Sequence, residues 1–304
     1  MKRAITLASI LALSMSFGGA AQAVSGDIGK GPVVTSEWLA THQHLKNLVL
    51  IDIRTAEEYT AGHIANAINI PLVVPISAWI TMRDDLLLEL PDAADLFAML
   101  GSFGIRQQSR VVVITSFGEP PYPQANANRV VATLNYAGVR DVSVLDGGYP
   151  VWVAEGRPST TEVPVVTPST YSATVNGATF VTTDYVADHI GQSILVDARD
   201  AAVYAGEVVE PWADKAGHIP TAVSLPAPSI WAADGSYRSV PDLRAMVRAA
   251  IGPHHRQDEI IVYCGVGGYA GSWLFVLSKL LGYTNVKMYD GSAQEWVRTH
   301  DMVL

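Results

Sequence analysis

The sequence predicts an α/β protein built from two tandem, similar domains, each a parallel sheet flanked by helices. Three observations predict it: four short blocks recur in the same order in both halves, strand-length aliphatic runs alternate with helical spacing, and a Pro/Ser/Thr-rich joint separates the halves. The 304 residues suffice for two domains of ordinary size. With 49% hydrophobic and 16% charged residues the chain is globular, not disordered.

The repeat is explicit. In the first half, Leu50-Ile51-Asp52-Ile53-Arg54 is followed by Gly62-His63-Ile64-Ala65-Asn66-Ala67, by Val111-Val112-Val113-Ile114 and by Asp146-Gly147-Gly148-Tyr149-Pro150-Val151-Trp152. In the second half, Leu195-Val196-Asp197-Ala198-Arg199, Gly217-His218-Ile219-Pro220-Thr221-Ala222, Ile260-Ile261-Val262-Tyr263 and Asp290-Gly291-Ser292-Ala293-Gln294-Glu295-Trp296 keep that order. Such self-similarity marks a duplicated supersecondary unit.

Residues 47–53, 110–115, 193–198 and 259–263 are short and nearly continuously apolar, as strands covered on both faces are. Val130, Val131, Leu134 and Ala137 carry helical spacing over 128–137, and Leu274, Leu277, Leu280 and Leu281 do so over 270–281. Gly138 and Gly282 follow them as C-terminal caps, and strands over 142–145 and 286–289 come next. A right-handed crossover turns this unit into a parallel sheet. The domains are expected at 24–160 and 175–304, joined by a linker over 161–174.

The start of the chain reads as an export signal over 1–23: Lys2 and Arg3, an apolar run over 5–17, and Ala21-Gln22-Ala23 as a cleavage site. The apolar run is shorter than the roughly 20 residues of a spanning helix. A periplasmic or extracellular location in a bacterial envelope is therefore expected, with no membrane span in the mature chain. Losing Lys2 and Arg3 takes the formal charge from −9 to −11. That sign repels nucleic acid and anionic membranes, so neither is expected as a partner. The chain is expected to be a monomer.

The chemistry centres on the one cysteine, Cys264. A lone cysteine in an exported chain forms no internal disulfide. Cys264 directly follows a strand and precedes Gly265-Val266-Gly267-Gly268-Tyr269 and a helix. That is the sheet edge where ligands of open α/β sheets bind. Main-chain N–H groups of a tight glycine loop can cradle an anion, and a helix start adds about 0.3–1 kcal/mol. The helix alone is expected to lower the thiol pKa by roughly one unit.

On these blocks the chain resembles the two-domain rhodanese family of thiosulfate and 3-mercaptopyruvate sulfurtransferases, over nearly all of the mature chain. The resemblance implies two rhodanese-like domains, the first catalytically silent because Thr115 stands where Cys264 does. It implies ping-pong chemistry: Cys264 takes the outer sulfur of a small donor as a persulfide and passes it to cyanide or a thiol. Gly265, Val266, Gly267, Gly268 and Tyr269 would hold the sulfur, with no metal or organic cofactor. Trp38 matches a family tryptophan near the active site, and Tyr122 is a second candidate to face it. Arg199 is assigned to the donor, with Lys215 and Arg238 as further cations. Asp197 and His218 are expected near the site in structural roles, as is His63 in the first domain. His254-His255 reads as a solvated pair without metal-ligand spacing.

Two departures bear on the donor. The loop carries no Lys or Arg, and the position four residues after Arg199, often a second arginine in the family, is Val203. Both weaken attraction for a dianion, so mercaptopyruvate or a persulfide is expected to outperform thiosulfate. A cysteine phosphatase of related fold would need an arginine at position 270 to clamp phosphate, and Ala270 is there. A persulfide carrier without rapid turnover is the other reading.

Overall fold

The computed structural model describes residues 31–304. The export-signal reading over 1–23 lies outside the described residues. Among the described residues, twelve strands form two five-stranded sheets and one hairpin. In the first domain β1 (Val33–Val34), β2 (Leu48–Asp52), β3 (Ala67–Asn69), β6 (Arg110–Ile114) and β7 (Asp141–Leu145) are ordered β1-β7-β6-β2-β3. The hairpin is β4 (Thr81–Arg83) with β5 (Leu86–Glu89). In the second domain β8 (Phe180–Val181), β9 (Ile194–Asp197), β10 (Val223–Ser224), β11 (Ile260–Tyr263) and β12 (Val286–Tyr289) are ordered β8-β12-β11-β9-β10. Every pairing within the two large sheets is parallel. The two domains thus share one strand order, as the repeat requires.

Helices α1 (Ser36–His42), α2 (Ala56–Ala61), α3 (Ala93–Ser102), α4 (Tyr122–Tyr136) and α5 (Gly148–Ala154) surround the first sheet. Helices α6 (Thr183–Asp188), α7 (Ala201–Tyr204), α8 (Val240–Ile251), α9 (Gly268–Phe275) and α10 (Ser292–Thr299) surround the second. α9 continues as one π-helical stretch, Val276–Leu280. Gly138 and Gly282 close α4 and the α9 stretch with φ of 94° and 76°, values that favour glycine.

Alternation along the strands sorts three cores. Val111 and Val113 face inward with α4, in a core continuous with Val262, Ala270 and Trp273 of the second domain. Val112 and Ile114 face outward with α1. Ile261 and Tyr263 face outward on the other side, with Trp296. Helices α4 and α9 meet closely: a Cβ on Gly271 would lie 3.2 Å from the Arg129 backbone. Residues 161–176 contain no helix or strand. They are tied to the first domain, where Ser169 N–H donates to the Gly101 carbonyl and Tyr171 Oη–H to that of Ala137.

The hairpin also crosses between domains. Leu87 exchanges two 2.9 Å hydrogen bonds with the Gln294 amide, and Leu90 N–H donates to Asp290 at 2.9 Å. Arg129 of α4 pairs with Asp290 and donates to the Leu88 carbonyl at 2.6 Å. The first domain therefore grips the segment that lies directly under the cysteine loop.

Candidate active site

Cys264 stands one residue past the end of β11 and four before the start of α9. Its residue is 3% exposed. The register explains the placement: Tyr263 pairs with Asp197, and Ile114 pairs with Asp52 at the matching position of the first sheet. Thr115 is thus the structural counterpart of Cys264.

The loop turns back over the sulfur. Gly267 N–H donates to Sγ at 3.1 Å, and the amides of Val266 and Ala270 also face it. Gly267 makes the turn with φ 87°, and a Cβ there would lie 3.0 Å from the Asp290 carbonyl oxygen. Glycine is required on both grounds. The loop backbone is fixed from below: Ala293 N–H donates to the Cys264 carbonyl at 2.9 Å, and Gln294 N–H to the Gly265 carbonyl at 3.0 Å. Cys264 N–H donates to Ser292 Oγ at 3.2 Å, and that hydroxyl donates to the Tyr289 carbonyl at 2.9 Å.

The electrostatics depart from the expected lowering. Burial pushes the Cys264 thiol above its ordinary range, and the Ala270, Val266 and Gly267 amides only partly offset that, while the Glu210 carboxylate adds to the rise. Desolvation outweighs the helix start because the sulfur is enclosed. Three amides thus face an enclosed sulfur.

The other assigned residues fall in three groups. Tyr269, expected in the loop but lying in the first turn of α9, stacks on Tyr122 of the first domain with ring centroids 5.5 Å apart, and Tyr122 is 55% exposed. These two rings form a wall shared by the domains. Asp197 and Arg199 form a buried clamp: Arg199 donates to both Asp197 carboxylate oxygens and, at 2.7 Å, to the Gly217 carbonyl. The sequence assigns Arg199 to the donor; the structure instead ties its guanidinium to the fold, as Arg54 is tied to Asp52 and the Gly62 carbonyl. His218 stacks on Tyr204 at 3.8 Å, the partner of His63 on Tyr59 at 3.7 Å. Both are structural pairs.

Trp38 is the clear correction. It packs on the outer face of the first sheet with Leu39, Leu50 and Trp152, opposite the face that carries α4 and the second domain. An aromatic on α1 enters whichever face its helix covers, and α1 covers the far one. Lys215 pairs with Asp301 and the His300 carbonyl, and Arg238 donates to the Ser229 carbonyl. Lys215 is thus tied down, whereas Arg238 is exposed and anchored through Nε alone. His254 and His255 are exposed, and among the described residues no acid, histidine or cysteine cluster has the geometry of a metal site.

The sequence profile of the rhodanese-like domain matches residues 35–155 and again residues 182–299. The chain belongs to the rhodanese-like domain family. Its fold is that of two rhodanese domains in tandem, in line with SseA of Escherichia coli, whose structure is described for the fold and mechanism of 3-mercaptopyruvate sulfotransferases. That match has a TM-score of 0.71 at 26% identity and covers 86% of this chain and 98% of SseA. The SseA protein of Mycobacterium tuberculosis, which carries the name of a thiosulfate sulfurtransferase, is 30% identical over 276 residues, 87% of each chain. The sulfur carrier protein TtuD of Thermus thermophilus is 38% identical over 173 residues, 53% of this chain and 60% of that one. The match to TtuD therefore spans less than two thirds of its length.

Within this rhodanese frame, sequence reasoning missed Ser292, the Gln294–Leu87 contact and Glu210. Two signals were available. Ser292 stands in place of Gly148 right after the shared Asp-Gly pair, and both adopt positive φ, 54° and 62°. The Asp-x-Arg arginine and the Gly-His glycine it binds are 8 residues apart in the first domain and 18 in the second. The extra ten residues carry Glu210 and Trp212, and both border Gly265.

Proposed function

We propose that the protein is a sulfurtransferase that moves a sulfane sulfur from a small donor to a thiophilic acceptor through a persulfide on Cys264. One observation carries this reading: the amides of Val266, Gly267 and Ala270 converge on the sulfur of the chain's single cysteine. Such convergent donors stabilise a charge that develops on reaction. In the first half-reaction the Cys264 thiolate attacks the outer sulfur of the donor. A new S–S bond forms to Cys264, and the donor's own bond to that sulfur breaks with its electron pair leaving on the donor. In the second half-reaction cyanide or a thiolate attacks the outer sulfur of the persulfide and Cys264 leaves as the thiolate. No cofactor is needed, because each step is a displacement at sulfur.

The donor class is thiosulfate, 3-mercaptopyruvate or a persulfide. The loop lacks cations, Arg199 is clamped by Asp197, and Lys215 is paired with Asp301. That supports the less charged donors over thiosulfate. The sequence of residues 1–23 supports a site of action outside the cytoplasm, in a bacterial envelope.

A donor panel assayed with cyanide and with a thiol tests the reading. Multiple turnovers with at least one pair, abolished in Cys264→Ser, are expected. Stoichiometric sulfur loading without turnover on any pair would turn the assignment to a persulfide carrier. Thiosulfate giving the highest kcat/KM would overturn the donor order.

A further inference from the structure

Glu210 has no part in the chemistry above, yet it lies against the reacting loop. A Cβ built on Gly265, the residue after the cysteine, would lie 2.7 and 2.9 Å from its two carboxylate oxygens. Only a glycine lets the carboxylate approach the loop backbone this closely. One of its oxygens, Oε2, is enclosed and accepts no hydrogen bond. Its nearest cation is Arg199, with Nη1 at 3.6 Å. Arg199 is already bound in bidentate fashion by Asp197. Two carboxylates therefore face one guanidinium beside the thiol, and the local sum is negative. Further out, the Tyr269 hydroxyl is pushed up by burial first, and then by Tyr122, Asp200, Cys264 and Glu119. Trp212, 39% exposed, covers Glu210 at the loop. An enclosed carboxylate oxygen held only by a loose ion pair at 3.6 Å calls for an explanation, because desolvating it is costly.

We infer that Glu210 sets the charge of the sulfur compounds that reach Cys264: with Asp197 it outweighs Arg199, turns dianions away and favours monoanionic, uncharged or amine-bearing sulfur donors, in that rising order. This rests on the reading of Cys264 as the sulfur-accepting nucleophile. Coulomb's law at partly exposed dielectric gives a bias on the order of tenfold per unit of reagent charge. The Glu210 carboxyl is itself pushed up by burial and pulled down by Arg199 and Trp212, so it exerts this bias fully once ionised.

Three methanethiosulfonates of different charge read the bias directly: the aminoethyl (cation), methyl (neutral) and sulfonatoethyl (anion) reagents, the two charged ones sharing the same ethylene arm. In each, the Cys264 thiolate attacks the sulfenyl sulfur. The S–S bond to Cys264 forms, the bond to the sulfonyl group breaks, and methanesulfinate leaves with the electron pair. Rates are divided by those of free 2-mercaptoethanol with the same reagent. The expected order is aminoethyl, methyl, sulfonatoethyl, with a cation-to-anion ratio of about a hundredfold. Glu210→Gln is expected to cut that ratio about a hundredfold, to near that of the free thiol, and to raise the kcat/KM of thiosulfate relative to mercaptopyruvate. A wild-type ratio equal to that of the free thiol, or a ratio untouched by Glu210→Gln, would overturn the inference. If the variant fails to fold, the wild-type order decides alone. If the reagents follow the expected order while no natural donor is turned over, the charge assignment stands and the sulfurtransferase reading fails. If turnover is rapid but anionic reagents lead, the reverse holds.

Discussion

The two domains place different residues at the same point of the same sheet. Thr115 and Cys264 each follow the central strand, and each carbonyl accepts an amide from the second residue past the Asp-Gly pair, Tyr149 at 2.8 Å and Ala293 at 2.9 Å. What differs is the chain beyond. From Cys264, four residues reach α9, and three amides face the sulfur. From Thr115, seven residues reach α4, and the hydroxyl donates to the Pro123 carbonyl at 2.8 Å. One scaffold thus yields an anion cradle on one side and a closed hydrogen bond on the other. Loop length separates them as much as the change from threonine to cysteine does. The first domain still contributes, through the hairpin and Arg129 that hold Asp290 and Gln294 beneath the cysteine loop.

The largest effect is expected at the nucleophile. Cys264→Ser should lower turnover by about a thousandfold or more, with the fold intact by circular dichroism, since losing one member of a reacting unit removes nearly all of its effect. The double variant Thr115→Cys with Cys264→Ser should stay equally inactive. Turnover restored by the new thiol would show that residue identity, and not the loop, separates the domains.

Gly267→Ala comes next. It forces a side chain onto φ 87° and to within 3.0 Å of the Asp290 carbonyl. A cost of about 1–3 kcal/mol in stability is expected, with kcat falling more than KM rises. A smaller effect is expected from Ser292→Gly, which installs the first domain's residue. It relieves positive φ but removes the acceptor for Cys264 N–H, so a net loss near ~1 kcal/mol should appear in denaturant titration.

The interdomain grip has its own pH signature. Burial first, then Asp290, raises the Glu89 carboxyl from 4.5 to about 8, against the pull of Arg129. The folded state therefore holds this proton more tightly than the unfolded chain does. Its contribution to stability is complete below pH 4.5 and is lost as pH rises to about 8. Thermal melts should fall across that window, and Glu89→Gln should flatten the fall. An unchanged slope would remove Glu89 from the account.

The central strands and both interdomain helices were legible because parallel strands buried on two faces leave continuous aliphatic runs. The edge strands Val33–Val34 and Val223–Ser224 were not, since two residues carry no period and only pairing defines them. α4 begins at Tyr122, six residues before the expected 128, because Pro121 and Pro123 sit at its start, where a missing N–H costs nothing. Cys264 and its loop were legible from strand–cysteine–glycine order. Trp38 was misplaced because sequence spacing does not tell which face of a sheet a helix covers. Glu210 escaped because its proximity to Gly265 depends on how an inserted segment folds back, which no local pattern encodes.

Mass analysis of the donor-treated protein tests the central claim most directly. The account expects exactly one added sulfur atom per chain, located on the peptide containing Cys264 and removed quantitatively by cyanide. An unmodified Cys264 under conditions of active turnover, or sulfur retained after cyanide, would contradict it.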